Sequence, residues 1–141
     1  MEPSTRHAAS RKGHELSKAG RVDSHRLNEL DMLLLGEGHC FRDQVLEACP
    51  SLNQSFHDQH RVTEGSSLET IRMMVASGLG TSVLPESALA NHPSNALVDI
   101  VPFNDPKPMR SVAVAWRASF PRPQAIDVLV DAIAKYRALD S

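Results

Sequence analysis

Apolar and polar residues follow two different spacings along the chain. Met32-Leu33-Leu34-Leu35 is an unbroken apolar run closed by Gly36, which predicts a strand buried on both faces. From Cys40 the spacing changes. Phe41, Val45, Leu46 and Ala48 fall at helical intervals with Arg42, Asp43, Gln44 and Glu47 on the opposite face, predicting a helix over 40–49 ahead of Pro50. A loop is expected over 51–59 and a short strand over 61–64, ending at Gly65. Ser66-Ser67-Leu68-Glu69 has the form of a capping box, and the helix it opens runs through Ile71, Met74 and Val75 to Ser77-Gly78. Residues 80–85 predict a third buried strand, 87–91 a helical turn, 97–102 an alternating strand and 104–108 a turn-rich crossover. Residues 111–116 predict one more strand. Over 124–137, Ile126, Leu129, Val130, Ile133 and Tyr136 form one stripe of an amphipathic helix. Residues 1–12 show no hydrophobic periodicity and are expected to be disordered. Residues 13–26 are polar with Leu16 and Val22 as anchors, and Asp23-Ser24 can cap a short helix carrying Leu27 and Leu30. Strands alternating with helices through short crossovers predict an α/β fold with a mainly parallel sheet.

Composition narrows the function classes. Fifteen basic against 17 acidic side chains give a net charge of −2 over 141 residues, so no broad basic surface is available for nucleic acid. Hydrophobic residues make up 41% and aromatic residues 4%, which implies an aliphatic core. No apolar run reaches the length of a membrane span and the N-terminus has no signal-like segment, so a cytoplasmic location is expected, where any disulfide would be transient or regulatory.

Both cysteines flank the 40–49 helix. A sulfur at a helix start meets unpaired N–H groups and the positive end of the dipole; with His39 and Arg42 as neighbours, Cys40 is the candidate reactive thiol. The alternative is an inert pair in the core, since free cysteine is among the most buried residue types. Geometry sets a condition on any bond between them. Nine steps of about 1.5 Å separate the Cα atoms by on the order of 13 Å, and a disulfide requires them within about 7 Å. The helix must unwind before the sulfurs can meet.

The string Gly38-His39-Cys40-Phe41-Arg42-Asp43-Gln44 with Cys49 nine positions on, followed by Ser67-Leu68-Glu69-Thr70-Ile71-Arg72, Met74-Val75-Ala76 and Leu84-Pro85, closely resembles the OxyR group of LysR-type transcriptional regulators. The resemblance implies a hydrogen-peroxide-sensing effector domain. In it Cys40 is oxidised and Cys49 resolves it into a reversible disulfide, while His39, Arg42, Asp43 and Arg110 position peroxide and stabilise the thiolate. It further implies subdomain II of a periplasmic-binding-protein-like fold over 13–110, with 111–141 as the strand and helix returning to subdomain I. Residues 1–12 depart from the family, which has a strand there. The resemblance implies a homodimer or tetramer, DNA contact only through a helix-turn-helix absent from these residues, no membrane partner and no cofactor. A chain lacking the first subdomain would leave its terminal helix to fold back, dimerise or remain marginal.

Two other readings compete. As in other LysR effector domains, Ser66, Ser67 and the N-terminus of their helix could hold a small anionic metabolite, with Gly38 as a further ligand-binding residue. Thiol peroxidase activity would require turnover with a reductant, and the chain is expected not to be an enzyme. A zinc site from His39, Cys40, Cys49 and His57 matches no ligand spacing, so no metal is expected.

Overall fold

The computed structural model describes residues 4–50, 52, 62–89, 96–110 and 113–139. They belong to two compact units, Glu2–Ser111 and Val112–Ser141, the latter grouped with Met1.

The apolar run at 32–35 forms strand β2 (Met32–Leu35), buried at every position. It pairs in parallel with β3 (Val62–Gly65), Met32 opposite Val62 and Leu35 opposite Gly65. Between them lies helix α2 (Cys40–Ala48). The other edge of β2 meets the start of β4 (Ser82–Pro85). There the Leu33 amide donates to Thr81 O at 2.8 Å, the Thr81 amide to Asp31 O at 2.8 Å and the Ser82 hydroxyl to Leu33 O at 2.7 Å. Gly80 makes this approach possible, because a Cβ there would stand 2.6 Å from the Asp31 carbonyl oxygen.

Strand β1 (Ser4–Arg11) corrects the expectation of disorder over 1–12. It pairs antiparallel with β4, Arg6 opposite Pro85 and Ala9 opposite Ser82, and also with β5 (Val98–Pro102), His7 opposite Pro102 and Arg11 opposite Val98. Its first two residues pair with β6 (Met109–Arg110). A strand laddered on both edges has its backbone groups satisfied without apolar alternation of its own. Small Ala8, Ala9 and Ser10 are fully buried there, as is the cation Arg6 at 2% exposure. The α/β architecture therefore has two sheets, the parallel pair β2–β3 where apolar strands alternate with helices and a four-stranded antiparallel sheet around β1.

Helix α1 (Glu15–Lys18) buries Leu16, and a 3-10 helix (Ser24–Glu29) buries Leu27. Asp23 precedes that 3-10 helix but gives it no side-chain cap; its carboxylate accepts from Asn104 Nδ2 at 2.8 Å. Helix α3 (Leu68–Ser77) packs Ile71 and Val75 into the core, and the short α4 (Glu86–Leu89) is the helical turn expected at 87–91, of which residues 90 and 91 lie outside the described residues. The cap of α3 is shifted by one from the expected box. Ser67 is the N-cap, its Oγ accepting from the Thr70 amide at 3.1 Å, and Glu69 turns to Arg72 at 2.7 Å. Glu69 thus lies in the first turn one position too early to reach back across the cap.

In the second unit, helix α5 (Pro123–Leu139) begins with Pro at its first helical position, where the missing N–H removes no helical bond. Val128, Leu129, Val130, Ile133 and Tyr136 are exposed. Residues 113–117 join no ladder among the described residues, so the strand expected over 111–116 is not formed there; alternation alone does not make a strand without a partner to receive its hydrogen bonds. No helix among the described residues is long and apolar enough to cross a membrane.

Candidate functional site

The site is built where β2 turns into α2. The Gly36 amide donates to Gly65 O at 3.2 Å, continuing the β2–β3 register one residue beyond the strand. Gly38 then takes φ +87°, a left-handed conformation that side chains resist, and this requirement of the turn explains its presence without a ligand. His39 is the N-cap in extended conformation, with no side-chain cap bond. Cys40 is the first residue of α2, and its side chain is exposed, as are those of His39 and Asp43.

Arg42 does not lie on a solvated face as its position in the helical pattern suggests. It is 8% exposed and points inward, its Nη1 donating to Leu35 O at 2.8 Å and to the Glu64 carboxylate. A hydrogen bond from a charged donor contributes about 1.5–3 kcal/mol, so this guanidinium braces the first turn of α2 against the ends of β2 and β3. The polar count of the helix face concealed this, because an arginine stem packs along apolar surface as readily as it solvates.

Cys49 closes the other end. It is the C-cap residue, fully buried, with its amide donating to Val45 O at 2.9 Å. Burial pushes its thiol up to about 11 from an ordinary 9.0, against the opposing pull of the Arg6 charge. At neutral pH, four units below that value, on the order of one molecule in ten thousand carries the Cys49 thiolate. Both cysteines are free, at opposite ends of a continuous nine-residue helix.

Arg6 has no counterpart in the sequence reading. From the buried strand β1 its Nη1 donates to Gln44 O in α2 at 3.0 Å, and its guanidinium carbon lies 5.9 Å from the Phe41 ring centroid. Nothing in the polar segment around it distinguishes it from a surface arginine. Ser66 and Ser67 are exposed at the start of α3, with the Ser67 oxygen already taken up as the cap. Arg110 pairs through its backbone with Ser4; its side chain, like His57, lies outside the described residues.

Residues 3–138 match the LysR substrate binding domain. The chain belongs to this family. The LysR match takes in residues 3–12, which the sequence pattern had set outside it. Among solved structures, the reduced OxyR regulatory domain of Pseudomonas aeruginosa is 51% identical, with a TM-score of 0.77 over 93% of this chain and 62% of that one. A reduced form of OxyR from Neisseria meningitidis is 39% identical, with a TM-score of 0.84 over 94% of this chain and 63% of that one. The "Hydrogen peroxide-inducible genes activator" of Haemophilus influenzae is 30% identical over 121 residues, 86% of this chain and 39% of that protein. The LysR domain described here thus spans less than two thirds of each of these relatives, and its OxyR likeness extends well beyond the string at 38–49.

Proposed function

We propose that this chain is the sensing domain of a hydrogen-peroxide-responsive LysR-type regulator, switched by a reversible Cys40–Cys49 disulfide. The observation that carries the reading is the placing of one free cysteine, exposed, at the first residue of α2 and the other, buried, at its end. The Cys40 thiolate attacks one peroxide oxygen; the O–O bond breaks, hydroxide leaves and takes up a proton as water, and Cys40 becomes a sulfenic acid. The Cys49 sulfur then displaces hydroxide from that sulfenic acid. The S–S bond forms, the S–O bond breaks, and the Cys49 proton leaves with hydroxide as water.

Between the two steps α2 must unwind. That exposes Phe41 and Val45, at about 1.5–3 kcal/mol each, so the open form is rare until the covalent bond traps it. His39, Asp43 and Arg110 position peroxide in this account, and Arg42 holds the turn that presents Cys40. Oxidation happens once per molecule and has no turnover, which separates a sensor from a peroxidase. The response is passed on in a cytoplasmic homodimer or tetramer whose helix-turn-helix, outside these residues, meets DNA.

The test is mass spectrometry after one equivalent of hydrogen peroxide. Wild type is expected to lose two hydrogens and yield a cross-linked Cys40–Cys49 peptide, and Cys40→Ser to yield none. A wild type that forms none rejects the proposal.

A further inference from the structure

We infer that Arg6 is the latch that keeps α2 wound, and so sets the rate at which an oxidised Cys40 is converted to the disulfide; the inference rests on the switch proposed above. The guanidinium reaches two turns of the helix that has to open, through the Phe41 ring and the Gln44 carbonyl. It is carried by a strand paired on both edges, to β4 and β5, so it cannot follow the helix outward. With only 2% of Arg6 exposed, water has little access to replace the Gln44 oxygen when that oxygen moves away. Opening α2 therefore breaks a hydrogen bond from a buried charged donor. The same charge draws the Cys49 thiol downward against its burial, which places the guanidinium's field at the far end of the helix as well.

The latch acts on one of the two chemical steps. Sulfenic acid formation takes place at the exposed first residue of α2 and needs no unwinding. Closure does need it: the Cys49 sulfur displaces hydroxide from the Cys40 sulfenic acid, hydroxide leaving with the Cys49 proton as water. Arg6 is thus a positioning residue whose removal separates the steps.

The experiment follows both steps in the full chain after one equivalent of hydrogen peroxide, trapping sulfenic acid with a dione and free thiols with an alkylating agent. Arg6→Met, which keeps an unbranched apolar stem, is expected to form sulfenic acid at the wild-type rate and to close the disulfide about tenfold faster, the size of effect one charged hydrogen bond supports. In a Cys40→Ser background that cannot oxidise, Arg6→Met is expected to lose amide protection over 44–49 while α3 keeps its own. Closure at the wild-type rate or slower overturns the latch, as does equal loss of protection in α2 and α3, which would mark Arg6 as merely structural. Should Arg6→Met fail to fold, Arg6→Lys carries the same test, faster closure supporting the latch and an unchanged rate overturning it. A wild type that forms no disulfide rejects the switch itself; amide exchange in the Cys40→Ser background then decides alone whether Arg6 holds α2 wound.

Discussion

Cys49→Ser is expected to abolish the peroxide-induced disulfide completely while leaving oxidation of Cys40 at its wild-type rate. The two sulfurs occupy opposite ends of α2, so Cys49 makes no contribution to the first step from its buried C-cap position. Without a resolving thiol, the sulfenic acid persists and a trap for that species labels Cys40 alone. Excess peroxide then drives Cys40 to the sulfinic acid, which the wild type avoids by closing. Serine suits the cap for the same reason that cysteine does, being small, and its hydroxyl adds a buried polar group at moderate cost. Trapping and intact mass after a peroxide pulse check this. Loss of Cys40 reactivity in a folded Cys49→Ser protein would mean that the two cysteines act as a unit from the outset, contrary to the sequential account.

The second large effect is on stability at high pH. Burial holds the Cys49 thiol at about 11 in the folded chain, and unfolding returns it toward 9.0. Above pH 9 the unfolded chain therefore binds fewer protons than the native one, so stability falls as pH rises. The contribution of Cys49 is fully present below pH 9 and is lost through pH 11. Two pH units correspond to roughly 3 kcal/mol, a large part of a typical margin of about 5–15 kcal/mol. The measurement is a difference that isolates this one side chain: denaturant unfolding of wild type minus Cys49→Ala, at pH 8 and again at pH 11. The gap between the two proteins is expected to shrink by roughly 2–3 kcal/mol as pH rises. A gap independent of pH would place Cys49 in contact with solvent.

Much of this arrangement was legible in the residues because periodicity reports burial directly. The apolar run at 32–35 is β2, the helical spacing from Cys40 is α2, and the amphipathic stripe over 124–137 lies within α5. The likeness to OxyR regulators, read from the string around Cys40 and from the segment at 67–85, accords with the comparisons along nearly the whole chain. What escaped has a common physical cause. β1 is held by ladders on both edges and by small side chains, so its sequence carries no alternation to read. Arg6, on that strand, was invisible for the same reason. Arg42 was assigned to water by its position on the helix, whereas its length lets the charged head reach the Leu35 carbonyl and Glu64. Hydropathy patterns locate apolar burial; they are blind to a buried cation whose partners are a carbonyl oxygen and a carboxylate on other elements.

These misread arginines are also what binds α2 to its surroundings. Arg42 braces its first turn to the strand ends, and Arg6 reaches its middle from β1. A helix held at two points by buried cations is well ordered while its thiols are reduced, yet only a few side chains must leave the core when it opens. That combination suits an element that is stable in one state and replaceable in another.

Amide hydrogen exchange across α2, before and after one equivalent of hydrogen peroxide, tests the unwinding most directly. In the reduced chain the amides over 44–49 are expected to be protected to a degree comparable with α3. Once the Cys40–Cys49 bond has formed, they are expected to exchange about a hundredfold faster or more, while α3 is unchanged. A cross-linked protein in which α2 remains as protected as before would contradict the account, because the two cysteines would then have met without the helix coming apart.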